Sequence, residues 1–268
     1  MRKTLLLSAL AAGVFGIVAV AWAANTYTVT TARDTPTKSG TLRNPKPERV
    51  QFGYTVGTTD GTRPNPSTDY FINLGSGIKQ NSKLKATRTR FAFAQCKFNQ
   101  ASANVCPAST KIGSGIVKNQ AGLSSDKSSK IPCQLTLTIF NGDGKLFPPS
   151  RNDGKRFKED IWLHLVGTPP SCPLAVDTTL AVQFVATGGG TALTFHVTAI
   201  PLQHPASGVD NSVVQTAASL FKTARVAGRT RGFFESTSCP TGGRRVKVTF
   251  TDASGARFNA TKIAPCTR

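Results

Sequence analysis

The sequence predicts an all-β protein, an antiparallel β-sandwich with at most one short helix, stapled by disulfides. Three observations predict it. Apolar residues recur with period two in many short stretches, the pattern of half-buried strands. Glycine and proline, 24 and 16 of the 268 residues, punctuate those stretches throughout, and only one stretch has helical spacing. Six cysteines, an even number, all follow an N-terminal export signal.

That signal comes first. Arg2 and Lys3 form a positive start, Leu5 to Val20 is apolar apart from Ser8 and glycine, and Ala21-Trp22-Ala23 puts small residues at −3 and −1 of a cleavage site. Residues 1–23 are therefore expected to leave as a signal peptide. An uncleaved anchor would use the same run, which approaches spanning length; the small-residue exit favours cleavage. No later stretch is apolar for long enough to span, so no transmembrane segment is expected in the mature chain. It should be secreted or extracytoplasmic, and soluble or only peripherally attached to the envelope.

Residues 24–49 read as an N-terminal strand, Thr26 to Ala32, and a polar linker broken by Pro36, Gly40, Pro45 and Pro47. Residues 50–268 read as the sandwich. Val50 to Val56 and Tyr70 to Leu74 are strand candidates around the turn-rich TTDGTRPNPST. Phe91 and Phe93 alternate with Ala92 and Ala94, a strand ending at Cys96. Cys106-Pro107 leads through Ile112-Gly113-Ser114-Gly115 into another. A Cys96–Cys106 bridge would fasten these two neighbours. Ile131 to Phe140 and Ile161 to Val166 alternate in the same way. Thr179 to Ala186 and Thr191 to Ile200 flank Gly188-Gly189-Gly190 as a strand–turn–strand. Asp210 to Val226 stays open: Val213, Ala217, Phe221 and Ala224 have helical spacing, while Leu220, Lys222, Ala224 and Val226 alternate. Arg244 to Thr251 and Ala256 to Ile263 form a hairpin with Cys239 before it and Cys266 after it.

Outside the cytosol six cysteines favour three bridges. Zinc is the rival, but there is no Cys-x-x-Cys pair and no histidine beside a cysteine. Spacing favours Cys96–Cys106 and Cys239–Cys266, leaving Cys133–Cys172 by elimination.

The run Cys96-x9-Cys106-Pro107-Ala108-Ser109-Thr110-Lys111-Ile112-Gly113-Ser114-Gly115 resembles a pattern in exported proteins of uncharacterised function from high-GC, soil-type Gram-positive bacteria. Their Cys-Pro, hairpin, Cys ending is similar to Cys239-Pro240 and Cys266. The resemblance covers roughly residues 50 to 268. It implies a secreted, β-rich, disulfide-bonded domain, brings no catalytic residue or cofactor, and implies a strand rather than a helix over 217–226.

Candidate chemistry is sparse. A catalytic histidine needs a carboxylate to orient it and a nucleophile in reach. His164, His196 and His204 have neither nearby in sequence, and no Gly-x-Ser-x-Gly elbow is present. Paired carboxylates for glycoside hydrolysis need one cleft, but the glutamates are only Glu48, Glu159 and Glu235, and adjacent Glu159 and Asp160 would point to opposite faces of a strand. Asn141, Asp143, Asn152 and Asp153 carry calcium-type oxygens, yet in the Gly-rich order that tight turns use and without the spacing of an EF-hand. No cofactor or metal is expected.

Charge is the remaining signal. Lysine and arginine number 33 against 13 acids, a formal charge of +20 that becomes +18 when Arg2 and Lys3 leave. Such a charge attracts polyanions, and outside the cytoplasm these are envelope polymers, anionic head groups and nucleic acid. The basic clusters are Lys83, Lys85, Arg88 and Arg90; Lys155, Arg156 and Lys158; Arg225, Arg229 and Arg231; and Arg244, Arg245 and Lys247. Phe157 sits within the second and Phe233-Phe234 follow the third, too little aromatic interleaving for a sequence-reading nucleic-acid surface. The expected function is a non-enzymatic structural or adhesive module with non-specific affinity for anionic envelope polymers. The alternative is a secreted hydrolase of polysaccharide or another polymer, its site not located by the sequence.

Overall fold

A computed structural model describes residues 24–145, 160–197 and 207–268. Their elements are β1 (Asn25–Thr35), β2 (Lys46–Thr58), β3 (Ser67–Ser76), β4 (Ile78–Gln80), α1 (Phe98–Ser102), β5 (Lys111–Leu123), β6 (Ile131–Asn141), β7 (Ile161–Gly167) and β8 (Val176–Thr187). The chain continues with β9 (Gly190–His196), β10 (Val209–Leu220), β11 (Thr223–Val226), β12 (Arg229–Gly232), β13 (Phe234–Ser236), β14 (Arg244–Asp252) and β15 (Arg257–Ala264). Every strand pair is antiparallel. The all-β, antiparallel class with one short helix is as the sequence predicts.

The sandwich is one continuous sheet folded over on itself. Its first layer runs β1-β2-β10-β5-β6-β7, and its second runs β9-β3-β14-β15. β8 belongs to both: Val176–Val182 pairs with β7, while Gln183–Thr187 pairs with β9. A strand that changes partners half-way is how such a corner is turned. On the opposite side β1 lies against β15, where Lys262 Nζ donates to Thr30 O at 2.7 Å. Alternation fills the space between the layers. In β14 the buried residues are Arg244, Val246, Val248, Phe250 and Asp252, and Arg245 and Lys247 between the first three are exposed. The Phe250 ring stacks on Tyr27 (4.2 Å between centroids) and meets Tyr54 edge-on (5.1 Å), joining β14 to the first layer. Aromatic pairs of this geometry add stabilisation beyond their buried area.

Two expectations are corrected, and one alternative is decided. Residues 91–96 are not a strand. Ala92 N–H bonds back to Leu84 O (2.7 Å), as Ala86 N–H does to Arg90 O (2.9 Å), so residues 81–95 fold back as a loop that meets β6 only at Cys96, whose N–H donates to Asn141 O (2.7 Å). Of the two phenylalanines Phe93 is buried, edge-on to Phe233, whereas Phe91 lies half-exposed under Lys85 Nζ. The stretch left open, 210–226, contributes β10 and β11, strands as the resemblance implies, and the short helix is α1, between the first two cysteines. Finally, the two ends of 33–49 are not linker, because β1 extends to Thr35 and β2 begins at Lys46, the two pairing at Thr35 and Arg49.

The disulfides are Cys96–Cys106, Cys133–Cys172 and Cys239–Cys266, and no described cysteine is free. Cys96–Cys106 fastens a flap rather than two strands. With α1 it covers Trp162 and Phe140, which project from the outer side of the first layer and are buried beneath Cys96 and Ala101. Cys239–Cys266 closes the open end of the β14–β15 hairpin. Because a bridge restricts the unfolded chain more when it closes a longer loop, the separations of 10 and 39 residues set an order. Replacing Cys133 and Cys172 together by alanine is expected to cost about 1 kcal/mol more than replacing Cys96 and Cys106. Urea denaturation of the two variants measures this, and the reverse order would reject the loop-entropy account.

Candidate functional site

The loop at 81–97 and the β11–β12 hairpin are tied together at one end of the sandwich. Asn81 N–H donates to Phe233 O (2.8 Å), Phe233 N–H donates to Lys222 O (2.8 Å), and the Phe93 ring meets Phe233 at 5.5 Å. Asn141 Nδ2 holds the loop from β6 by donating to Ala94 O at 3.1 Å. Between the loop, the start of β5 and the turn after β6 lies an open groove of about 730 Å³. Four cations line it, Arg90, Lys97, Lys145 and Lys222, against one acid, Asp143. Lys222 Nζ donates to Ser109 O (3.1 Å), and Lys145 Nζ stands 3.8 Å from Asp143 Oδ2. Arg90 and Lys97 are exposed. Phe91 forms part of the floor, with Lys85 Nζ 3.7 Å above its ring. The groove can hold a stretch of anionic chain through several charge-assisted hydrogen bonds.

Comparison with protein-family models, with curated proteins and with solved structures found no match.

The expected basic clusters fare differently. Lys83, Lys85, Arg88 and Arg90 all sit exposed on the 81–97 loop, Lys83 Nζ lying 3.7 Å from Asp160 Oδ1. Arg225 and Arg229 are exposed on the hairpin beside Lys222, but Arg231 forks onto buried Glu235 (2.6 and 2.8 Å). Burial alone would raise the Glu235 pKa; hydrogen bonds from Arg231, Asn81 and the Gly232 N–H outweigh it and hold the carboxyl below its usual range. Arg245 and Lys247 are exposed on β14, in the other layer. Lys155, Arg156 and Lys158 lie outside the described residues. Lys97, Lys145 and Lys222 were not in the sequence clusters, since distant loops bring them to the groove.

Arg244 corrects the fourth cluster. It is fully buried and contacts no solvent polyanion. Its Nη1 reaches Asp34 Oδ2 at 2.6 Å and Glu48 Oε1 at 4.0 Å; its Nη2 donates to Ser39 Oγ (2.7 Å), Ser238 O (2.9 Å) and Ser236 Oγ. Burial, and then the charge of Asp34, push the Glu48 carboxyl up to about 8, with Arg244 and Lys46 opposing. Burial raises Asp34 as well, against the pull of Arg244. This is a carboxyl pair, but one sealed within the fold and closed to substrate.

A second buried cluster closes the opposite end of the first layer's strands. Arg63, from the turn-rich insert, donates to Leu123 O (2.6 Å), Asp126 O (3.3 Å) and Ser129 O, and stands 3.9 Å from Asp210 Oδ2, to which Lys127 Nζ also bonds. It organises the β5–β6 turn.

Both described histidines have carboxylate partners that sequence proximity did not reveal. His164 Nε2 lies 2.7 Å from Asp177 Oδ1, and His196 Nδ1 lies 3.0 Å from Asp69 Oδ1, its partner in register on β3. Among the described residues no hydroxyl or thiol hydrogen-bonds the His164 ring. Its cross-strand neighbour Thr179 bonds Asn104 Oδ1 instead (2.7 Å). Asp143 accepts the Lys145 N–H at 3.2 Å, an Asx turn. His204, Glu159, Asn152 and Asp153 lie outside the described residues. Among the described residues no three His, Cys, Asp or Glu side chains converge as metal ligands.

Proposed function

We propose that this protein is an exported, basic β-sandwich that acts in the envelope as a non-enzymatic structural or adhesive module, and that it holds anionic polymers along the groove beside the 81–97 loop. The observation that carries this reading is the groove's four cations facing a single carboxylate. The formal charge of +20, the three disulfides and the exposed arginines of the neighbouring hairpin support it. Disulfides persist outside the reducing cytosol. The groove is open, so it suits a segment of chain better than an enclosed small molecule. Recognition rests on charge density, and wall polymer, heparin-like glycan and DNA of equal charge density should bind alike.

Retention of the mature chain on such polymers, followed against salt, tests the proposal. Exposed charges are screened over roughly 8 Å at physiological salt and roughly 3 Å at 1 M, so binding should be weak and gone well before 1 M. Each phosphate-type contact contributes about 0.9 to the slope of log affinity against log salt. Replacing Arg90, Lys97 and Lys145 by serine should lower that slope by roughly two to three on DNA, while the same change at Arg245, Lys247 and Arg257 should leave it nearly intact. Equal losses in the two triple variants would show a diffuse surface and remove the groove from the account. Binding that persists at 1 M salt would show that charge is not its basis.

A further inference from the structure

The interior between the layers is not filled. A cavity of about 120 Å³ lies between the two layers, with Val117, Leu137, Ile139, Leu165 and Leu180 along one wall. Close-packed cores leave few voids larger than a water molecule, so the space itself calls for an occupant. Its polar groups gather at one end. Asn119, Asn211, Thr216, Tyr54, Tyr70 and Ser67 face the cavity there. Asn211 adjoins Asp210 of the Arg63 cluster, and Ser212 Oγ donates to Pro64 O (2.5 Å), which places that end under the turn closed by Arg63.

One of these groups is left unsatisfied by the protein. Asn119 is 4 % exposed and its Oδ1 has no hydrogen-bond partner. Tyr70 and Thr216, also buried, lie beside the Tyr54 hydroxyl, and Tyr70 lies beside Ser67 as well. Burial pushes the Tyr54 phenol up to about 12 and raises Tyr70 too, so both remain protonated donors. A buried polar atom left unpaired costs about 1–3 kcal/mol, and an apolar void of comparable size, about 150 Å³, accepts a molecule as large as benzene.

We infer that this cavity is a binding site for a benzene-sized, largely apolar molecule carrying one hydroxyl, a phenol-type ligand whose ring lies among the leucines and whose O–H donates to Asn119 Oδ1. Tyr70, which lines the same cavity, supplies a hydroxyl that can return a hydrogen bond to the ligand oxygen. No residue lining the cavity also lines the basic groove, so the site stands or falls independently of polymer binding. It requires the β-strands to part briefly for entry, which makes slow exchange an expected property.

Calorimetric titration of the mature chain with phenol and with toluene tests this. Phenol should bind one to one and raise Tm, and toluene, lacking the hydroxyl, should bind roughly tenfold more weakly, the loss of one hydrogen bond. Asn119→Leu should fold and bind toluene at least as well as phenol, reversing the order. Ala218→Leu, which places three more carbons in the cavity, should bind neither. The inference is overturned if neither probe binds saturably at millimolar concentration, which would leave the cavity to ordered water. It is also overturned if the phenol preference survives Asn119→Leu, or if binding survives Ala218→Leu.

Discussion

The Arg244→Ala variant is expected to lose about 3–5 kcal/mol of unfolding free energy, the usual cost of removing one partner from a buried ion pair. Arg244 bonds Asp34, Ser39, Ser236 and Ser238 and lies within 4.0 Å of Glu48, without exposure to solvent. These partners come from the end of β1, the loop after it, β2, β13 and the segment after β13. One guanidinium therefore ties the amino-terminal strand pair to the carboxy-terminal hairpin. Without it, Asp34 stays buried with no cation in reach, and the three serine-derived groups lose a donor. Arg244→Lys should recover only part of the loss, since an ammonium cannot present the planar fork that spans Asp34 and Ser39 at once. The neighbour supplies the control. Arg245 is exposed, and Arg245→Ala should fall within about 0.5 kcal/mol of the parent. Urea denaturation of the three variants decides it. A loss below about 1 kcal/mol for Arg244→Ala would mean that the cluster relaxes or admits water, and that the hairpin is held by its disulfide alone.

That arginine shows what was legible and what was not. The order Arg244, Val246, Val248, Phe250 is a period-two row, and the row places Arg244 on the core face beside three apolar residues. Counting Arg244 with Arg245 and Lys247 as one basic patch ignored the alternation that had located the strand. The same alternation was over-read at Phe91 and Phe93. There the apolar pair sits in a loop, and one ring goes to the core while the other lies under a lysine. Period two reports which side chains share a face only where a neighbouring strand takes up the backbone hydrogen bonds, and of residues 91–96 only Cys96 meets a strand, its N–H donating to Asn141 O at the end of β6.

The disulfides were legible because two of them are local and the third had no alternative partner. Long-range partnerships were not. Asp69 lies 127 residues from His196, and Arg63 reaches Asp210 across 147; nothing in either local sequence marks the encounter. The insert TTDGTRPNPST reads as an exposed turn, yet Arg63 within it is 1 % exposed. Asp34 and Glu48 sit in what reads as a polar linker. In each case the charge is buried by chain that arrives from elsewhere, so composition points to the wrong surface. The groove follows the same logic: of its four cations only Arg90 belonged to a cluster visible in the sequence.

Glu48 gives the chain a dependence on pH that runs opposite to the common carboxylate case. Its carboxyl is pushed from 4.5 up to about 8, first by burial and then by Asp34, and neither oxygen finds a hydrogen bond. With one buried guanidinium and two buried carboxyls, neutrality is met by ionising Asp34 and keeping Glu48 protonated. The folded protein then binds a proton that the unfolded chain releases above pH 4.5, so stability falls as pH rises. Below pH 4.5 the group adds no penalty. Between 4.5 and 8 the penalty grows, and above 8 it is complete, on the order of 3–5 kcal/mol for a shift of this size. Asp34, also raised, adds in the same direction. Glu48→Gln, which fixes the neutral form, should therefore match the parent near pH 4.5 and exceed its stability increasingly towards pH 8.5. The measurement is the difference in urea-unfolding free energy between variant and parent across that range, in which contributions from the other titrating groups cancel. Parallel curves would show that Glu48 is ionised in the fold. A difference that grows towards acid pH would mean that Arg244 pairs with Glu48 as strongly as with Asp34.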